Sequence, residues 1–207
     1  MKKYLVEFTG TFFLVFTIGN VVPAPGTGLL APLAIGGVLA AMIYAGGHIS
    51  GAHYNPAVTF AVWVGGKMDS KDVFPYMVTQ IVAGAVAALA VLFIREFPQT
   101  VPMEISTLPA LIAETLFTFA LCLVIFEVAL SKATRGNCYY GIAIGLTVMA
   151  GAYAVGSVSG GVFNPAVAVG ITVMGMLDLY SIWIYLCSNL AGALLAAAVY
   201  KFINSEE

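Results

Sequence analysis

Gly47–Val58 reads GHISGAHYNPAV, and Gly156–Val167 reads GSVSGGVFNPAV. Seven of the twelve positions are identical, and Asn55 and Asn164 lie 109 positions apart. Asn is a strong N-cap residue because its side chain satisfies an otherwise free backbone N–H. Pro is favoured at the first helical position, where its missing N–H costs nothing. Each Asn-Pro-Ala (Asn55-Pro56-Ala57 and Asn164-Pro165-Ala166) therefore reads as a helix start. The apolar runs that follow, Ala57–Val64 and Ala166–Met176, are predicted half-helices of about 10 residues, or about 15 Å at 1.5 Å per residue. That is about half the hydrocarbon thickness of a bilayer.

The rest of the chain suits a bilayer. Of 207 residues, 61% are hydrophobic and 9% charged, with a mean hydropathy of +0.99. Soluble domains are near one-quarter charged, about 25%. This chain cannot cover a globular surface with polar groups and belongs to the membrane class. Lys2 and Lys3 precede an apolar run, yet no small-residue cleavage site leads into a soluble remainder, so no cleavable signal peptide is expected. The net charge of −2 says nothing about nucleic acid, but with no basic patch and no nucleic-acid motif no such partner is expected. Cys122, Cys138 and Cys187 lack metal-ligand spacing and read as small packing residues, with no metal or other cofactor implied.

Taken in order, the spans are Tyr4–Val22, Leu29–Ile49, Val73–Ile94, Leu108–Leu130, Cys138–Val155 and Leu179–Ile203. Pro23–Gly28 is a tight break, Arg95–Thr107 a loop with Pro98 and Pro102, and Ser131–Asn137 a short polar loop. Six spans and two half-spans leave both termini on one side. Lys2, Lys3, Lys67, Lys71, Lys132, Arg135 and Lys201 fall on that side and Arg95 on the other, which places the termini in the cytoplasm; the membrane expected is the plasma (inner) membrane. Glu7 and Glu114 open the first and fourth spans, so the repeat covers the whole chain, as halves of about 1–98 and 108–207 within a single channel domain. Three spans per half give opposite insertion of the halves. Such an inverted repeat places a pathway at their interface. Gly36, Gly37, Gly46 and Gly47 in the second span, and Gly84, Ala85, Gly192 and Ala193 in the third and sixth, read as close helix contacts.

Two half-helices entering from opposite faces meet N-terminus to N-terminus near the midplane. Each terminus carries roughly half a unit of positive charge, so the pair repels cations. The Asn amides can donate to a passing oxygen. The leads Gly47–Tyr54 and Gly156–Phe163 read as unwound, and such backbone persists at membrane depth only where it is buried in protein or lines a water-filled path. Together these features imply a pore for small, uncharged, hydrogen-bonding molecules.

Glu7-Phe8-Thr9-Gly10-Thr11-Phe12, the first long copy and Asn164-Pro165-Ala166 resemble the aquaporin and glycerol-facilitator family, the major intrinsic proteins. The resemblance implies an all-α hourglass: six transmembrane helices plus two re-entrant half-helices. It also implies a homotetramer with one pore per subunit, passive conduction of water or small neutral solutes, and no cofactor. Asn55 and Asn164 would be the donors at the central constriction, and Glu7 and Glu114 buried acceptors holding the loops. The departure lies in the outer filter. Many members have Arg after the second Asn-Pro-Ala, where this chain has Val167. Ungapped counting from the family pattern gives Ile35, Ala152 and Gly161 as the other filter positions, with Tyr153 one place from Ala152. That set is wide, apolar and uncharged, which admits glycerol, urea, ammonia or neutral metalloid hydroxides. Glycerol-conducting relatives usually carry Asp where this chain has Ala168, so a specific glycerol assignment is not supported.

His48 and His53 invite two readings: a pH gate, because His titrates near neutrality, or ring nitrogens bonded to loop backbone, which is favoured. Glu127 reads as one side of a surface ion pair with Lys132 or Arg135. A secondary transporter also uses inverted repeats and half-helices, but needs a coupling site, for which only Glu7 and Glu114 offer themselves. An intramembrane enzyme needs a nucleophile–base pair or metal ligands, and no such set is evident. A poorly conducting structural membrane protein is the remaining alternative.

Overall fold

The computed structural model describes residues 1–23, 28–97 and 100–205. Residues 24–27 of the expected Pro23–Gly28 break, and Pro98 of the loop between the halves, lie outside them. The first half holds α1 (Lys2–Val21), α2 (Ala31–Ser50), α3 (Pro56–Val64) and α4 (Ser70–Ile94). The second holds α5 (Thr107–Ile125), α6 (Tyr140–Ser159), α7 (Pro165–Val173) and α8 (Ile182–Ile203). Among the described residues six helices are long and apolar enough to cross a membrane, α5 and α8 with their flanking turns; α3 and α7, at nine residues each, are not.

Three boundaries differ from the sequence reading. The leads are not unwound from Gly47 and Gly156: α2 and α6 continue to Ser50 and Ser159. Gly51 and Gly160, each at φ +86, then end the helices in the left-handed conformation that glycine adopts without Cβ strain. The unwound segments shrink to 51–54 and 160–163. The second half-helix stops at Val173 rather than Met176, ahead of Gly175 at φ +72. The fourth span changes from α-helix to a π-helical turn at Phe126–Leu130. No sequence feature flagged that turn.

The halves interpenetrate. α1 packs on α4 and α5 on α8 within each half, while α3 packs against α8 and α7 against α4. Each half-helix is therefore seated on a span of the other half. The two halves also meet along α2 and α6, where Gly36 and Gly145 oppose each other. A Cβ on Gly36 would lie 2.6 Å from the Gly145 carbonyl oxygen, so only glycine permits this crossing. Gly37, by contrast, faces open space and takes no part in the helix contact expected of it. Gly84 abuts the carbonyl of Ala166 at the start of α7, and Gly192 abuts that of Thr115 on α5, as matched small residues in α4 and α8. Lys3 pairs with Asp72 at 2.7 Å and ties the start of α1 to α4. Glu127 joins no ion pair among the described residues: its Oε1 accepts from Asn204 Nδ2, at the end of α8, at 3.0 Å.

Candidate functional site: a cross-locked pair of half-helices

Asn55 caps α3 and Asn164 caps α7. Asn55 Oδ1 accepts from the Ala57 N–H at 2.8 Å, and Asn164 Oδ1 accepts from the Ala166 N–H at 2.9 Å. Their amide nitrogens reach across the repeat. Asn55 Nδ2 donates to the Phe163 carbonyl at 2.8 Å, and Asn164 Nδ2 donates to the Tyr54 carbonyl at 2.9 Å. One of the two N–H groups on each amide is thus spent on the opposite loop, and the other remains to meet a solute.

Tyr54 and Phe163 sit at φ +50 and +49, in the left-handed region that bulky residues avoid. Such a conformation costs about 1–3 kcal/mol and persists where the surroundings over-determine it. Here they do. Glu7 Oε2 accepts the Tyr54 N–H at 2.7 Å, and Glu114 Oε2 accepts the Phe163 N–H at 2.7 Å. Each carboxylate takes three further donors. Glu7 accepts from Ser50 Oγ, the His53 N–H and Gln80 Nε2 at 2.7, 3.0 and 2.8 Å. Glu114 accepts from Ser159 Oγ, the Val162 N–H and Asn189 Nδ2 at 2.7, 2.9 and 3.0 Å. Hydrogen bonds to charged groups contribute about 1.5–3 kcal/mol each, enough to offset the strain. Both carboxylates are wholly buried.

Ser50, Tyr76, Gln80, Ser159, Tyr185 and Asn189 were missed at the sequence level. Tyr76 and Tyr185 donate to the carbonyls of Ser50 and Ser159 at 2.9 and 2.6 Å, closing the ends of α2 and α6. All three pairs are separated by the 109 positions that separate the two Asn. Sliding the chain against itself by that offset, rather than matching only the twin stretch, would have found them.

The imidazole of His53 does not bond loop backbone as expected. Its Nδ1 is hydrogen-bonded to Thr59 Oγ1 at 3.1 Å, because the first turn of α3 brings that hydroxyl under the ring. Thr59 Oγ1 in turn accepts from Gln80 Nε2 at 3.0 Å, so His53 joins the cluster around Glu7. The second half has Val162 and Ala168 at these places, and Asn189 Oδ1 is left without a partner. His48 lies in the last turn of α2, exposed, rather than in a loop.

A cavity passes both Asn residues. Ile35, Ala152, Gly161 and Val167 all line it, on α2, α6, the second loop and the first turn of α7. Tyr153 is not among the residues lining this cavity: it is half-exposed, and its hydroxyl donates to the Leu29 carbonyl at 2.7 Å. Gly161 is an immediate neighbour of Ala152: a Cβ there would lie 3.1 Å from the Ala152 Cα. A second, wider cavity, which His48, Lys67 and Arg135 line, lies on the face of the termini. The two share Ile43, Ala52, His53, Val58, Ile125 and Ile144, so they adjoin at these six residues.

Residues 1–200 match the sequence profile of the family described as major intrinsic protein. The chain belongs to that family. It is 35% identical to Aquaporin AqpM of Methanothermobacter thermautotrophicus over 243 residues, covering 99% of this chain and 98% of the relative. It is also 35% identical to Glycerol uptake facilitator protein-like 6 of Lactiplantibacillus plantarum over 218 residues, covering 100% of both. The fold is that of the solved aquaglyceroporin of Plasmodium falciparum, with a TM-score of 0.84, 22% identity, and coverage of 99% of this chain and 97% of that one. This major intrinsic protein is an integral, multi-pass membrane protein with the hourglass fold, a passive channel for water and small neutral solutes.

Proposed function

We propose that Ile35, Ala152, Gly161 and Val167 form the outer filter of this channel, and that it is wider and less polar than that of a strict water channel. The observation that carries this reading is Val167, buried in the first turn of α7 and lining the cavity, where it offers neither charge nor donor. Pore diameter, lining donors and electrostatic barriers set selectivity. With no cation at the filter, exclusion of cations and protons rests on the opposed N-termini of α3 and α7 and on the free N–H of Asn55 and Asn164. Solutes such as glycerol, urea, ammonia or neutral metalloid hydroxides fit this chemistry. Glu7 and Glu114 hold the loops instead of relaying protons or coupling transport: each is ringed by donors from its own half. The protein acts without catalysis.

The seven basic residues on the face of the termini favour a cytoplasmic placement of that face in a plasma membrane. Apolar side chains exposed on the outer surfaces of α4 and α8, among them Leu89, Phe93 and Leu194, suit lipid and neighbouring subunits of a homotetramer. Swelling of proteoliposomes in water, glycerol and urea gradients tests the filter. Linear, non-saturating flux of water and of at least one of the two solutes is expected. Water flux with complete exclusion of both would overturn the wide filter.

A further inference from the structure

We propose that Met103, on the segment joining the two halves, is a further selectivity-determining residue, whose thioether closes the outer mouth over Gly160. This rests on the cavity between the Asn pair and Val167 being the conducting path. Among the described residues that line this cavity, Met103 alone comes from the segment between α4 and α5. Every other comes from a helix, loop or turn within one of the halves.

Comparison of the two ends of the path explains why a side chain is needed there. At the inner end, Gly51 is covered by the imidazole of His53: a Cβ on Gly51 would lie 3.3 Å from His53 Nε2. At the outer end the counterpart of His53 is Val162, which is shorter. A Cβ on Gly160 would meet Val162 Cγ2 at 3.6 Å and Met103 Sδ at 3.9 Å. The thioether thus occupies the side of Gly160 that an imidazole covers on the inner face. The inner lip is polar and drawn from the repeat. At the outer lip the cover is Val162 from the repeat, Met103 from outside it, and the Tyr185 hydroxyl 4.0 Å from the same Cβ position.

The backbone that carries Met103 is fixed, while its side chain is only half-buried. The Met103 N–H donates to the Met176 carbonyl at 3.1 Å, and Thr100 Oγ1 donates to the Met174 carbonyl at 2.8 Å. Both acceptors lie at the end of α7, where Met176 and Leu177 also line the mouth. Methionine is unbranched and adaptable, and its sulfur is a weak acceptor. A solute passing it must leave part of its hydration shell and gains little in return. The residue therefore sets both the width of the mouth and the penalty for polar solutes, and its loss favours glycerol more than water.

Stopped-flow measurement of water and glycerol permeability in proteoliposomes tests this. Met103→Ala is expected to raise the glycerol-to-water ratio about threefold or more, and Met103→Leu, of similar volume, to leave it within about twofold. A residue that only packs the loop would shift thermal stability without moving the ratio. Val167→Arg serves as the reference for the path. If Val167→Arg changes the ratio and Met103→Ala does not, Met103 plays no part in selection. If neither changes it, the cavity is not the path and both readings fall. Met103→Cys, in a background with Cys138 and Cys187 replaced by Ser, provides a second measurement that does not depend on the Ala variant. Coupling a charged thiosulfonate at position 103 is expected to cut water flux about tenfold, reversibly on reduction. Complete labelling with unchanged flux would overturn the proposal.

Discussion

Asn55 and Asn164 each donate to the backbone carbonyl immediately before the other's position: Asn55 to Phe163 at 2.8 Å, and Asn164 to Tyr54 at 2.9 Å. The same two residues cap the half-helices, so the midplane is held by one reciprocal lock. Removing either side chain frees a helix start and orphans a buried carbonyl of the opposite half. Loss of the cap costs about 1 kcal/mol, and the orphaned acceptor about 1–3 kcal/mol. Asn55→Ala and Asn164→Ala are each expected to lower stability by about 2–4 kcal/mol by that addition. Because each change loosens the loop that carries the other's acceptor, the double variant should depart from additivity by more than about 0.5 kcal/mol. Unfolding in detergent of the four members of the cycle measures this, and strict additivity would disprove the lock.

Glu7 and Glu114 set the second prediction. Each receives four donors, two of them backbone N–H groups of a strained loop. Glu7→Gln or Glu114→Gln removes the charge and turns one acceptor into a donor facing other donors. A cost of about 2–4 kcal/mol is expected for each, with loss of water flux as 51–54 or 160–163 relaxes. A variant that kept full flux with an unchanged unfolding midpoint would show that the loops stand without the carboxylates.

The sequence carried the topology and the Asn pair because both are written twice, and a repeat is visible without coordinates. It also showed Glu7 and Glu114, since a carboxylate stands out in an apolar run. Gln80 and Asn189 do not stand out by type, being different residues, and share only an offset with their partners. The end of α2 was misjudged because the Gly and Ser of Gly46–Gly51 read alike as helix breakers. Only the left-handed φ of Gly51 separates the glycine that ends the helix from those that pack inside it. Met103 was invisible for a different reason: a loop residue acquires its meaning from the surface it lands on, and the loop's path is not periodic.

Gly36 and Gly37 are adjacent and chemically identical, yet they should respond oppositely. Gly36 meets the Gly145 backbone across the α2–α6 crossing, and Gly37 meets nothing within 4 Å. Gly36→Leu must push the halves apart at their joint, and the expected outcome is failure to assemble a stable protein. Gly37→Leu adds an apolar side chain to open surface and replaces a poor helix former, for a gain of up to about 1 kcal/mol. Yield and unfolding midpoint of the two variants in parallel check this. Equal tolerance of both would mean that the helices do not cross at Gly36.

Val167→Arg tests the filter from the opposite direction. Position 167 lies in the first turn of α7, beside the cap that Asn164 supplies. An Arg there would place a charge and several donors in the cavity that Ile35, Ala152 and Gly161 also line. Guanidinium is large, so it narrows the opening, and its fixed charge adds to the positive end of α7. Both effects act against bulky solutes more than against water. Glycerol and urea permeability should fall by about tenfold or more, while water permeability changes by less than about threefold. The measurement is stopped-flow light scattering on matched proteoliposomes, normalised to reconstituted protein. Solute exclusion in the variant together with solute passage in the parent would assign the width of the pore to this one side chain. Equal solute flux in both would move the narrowest point elsewhere along the path.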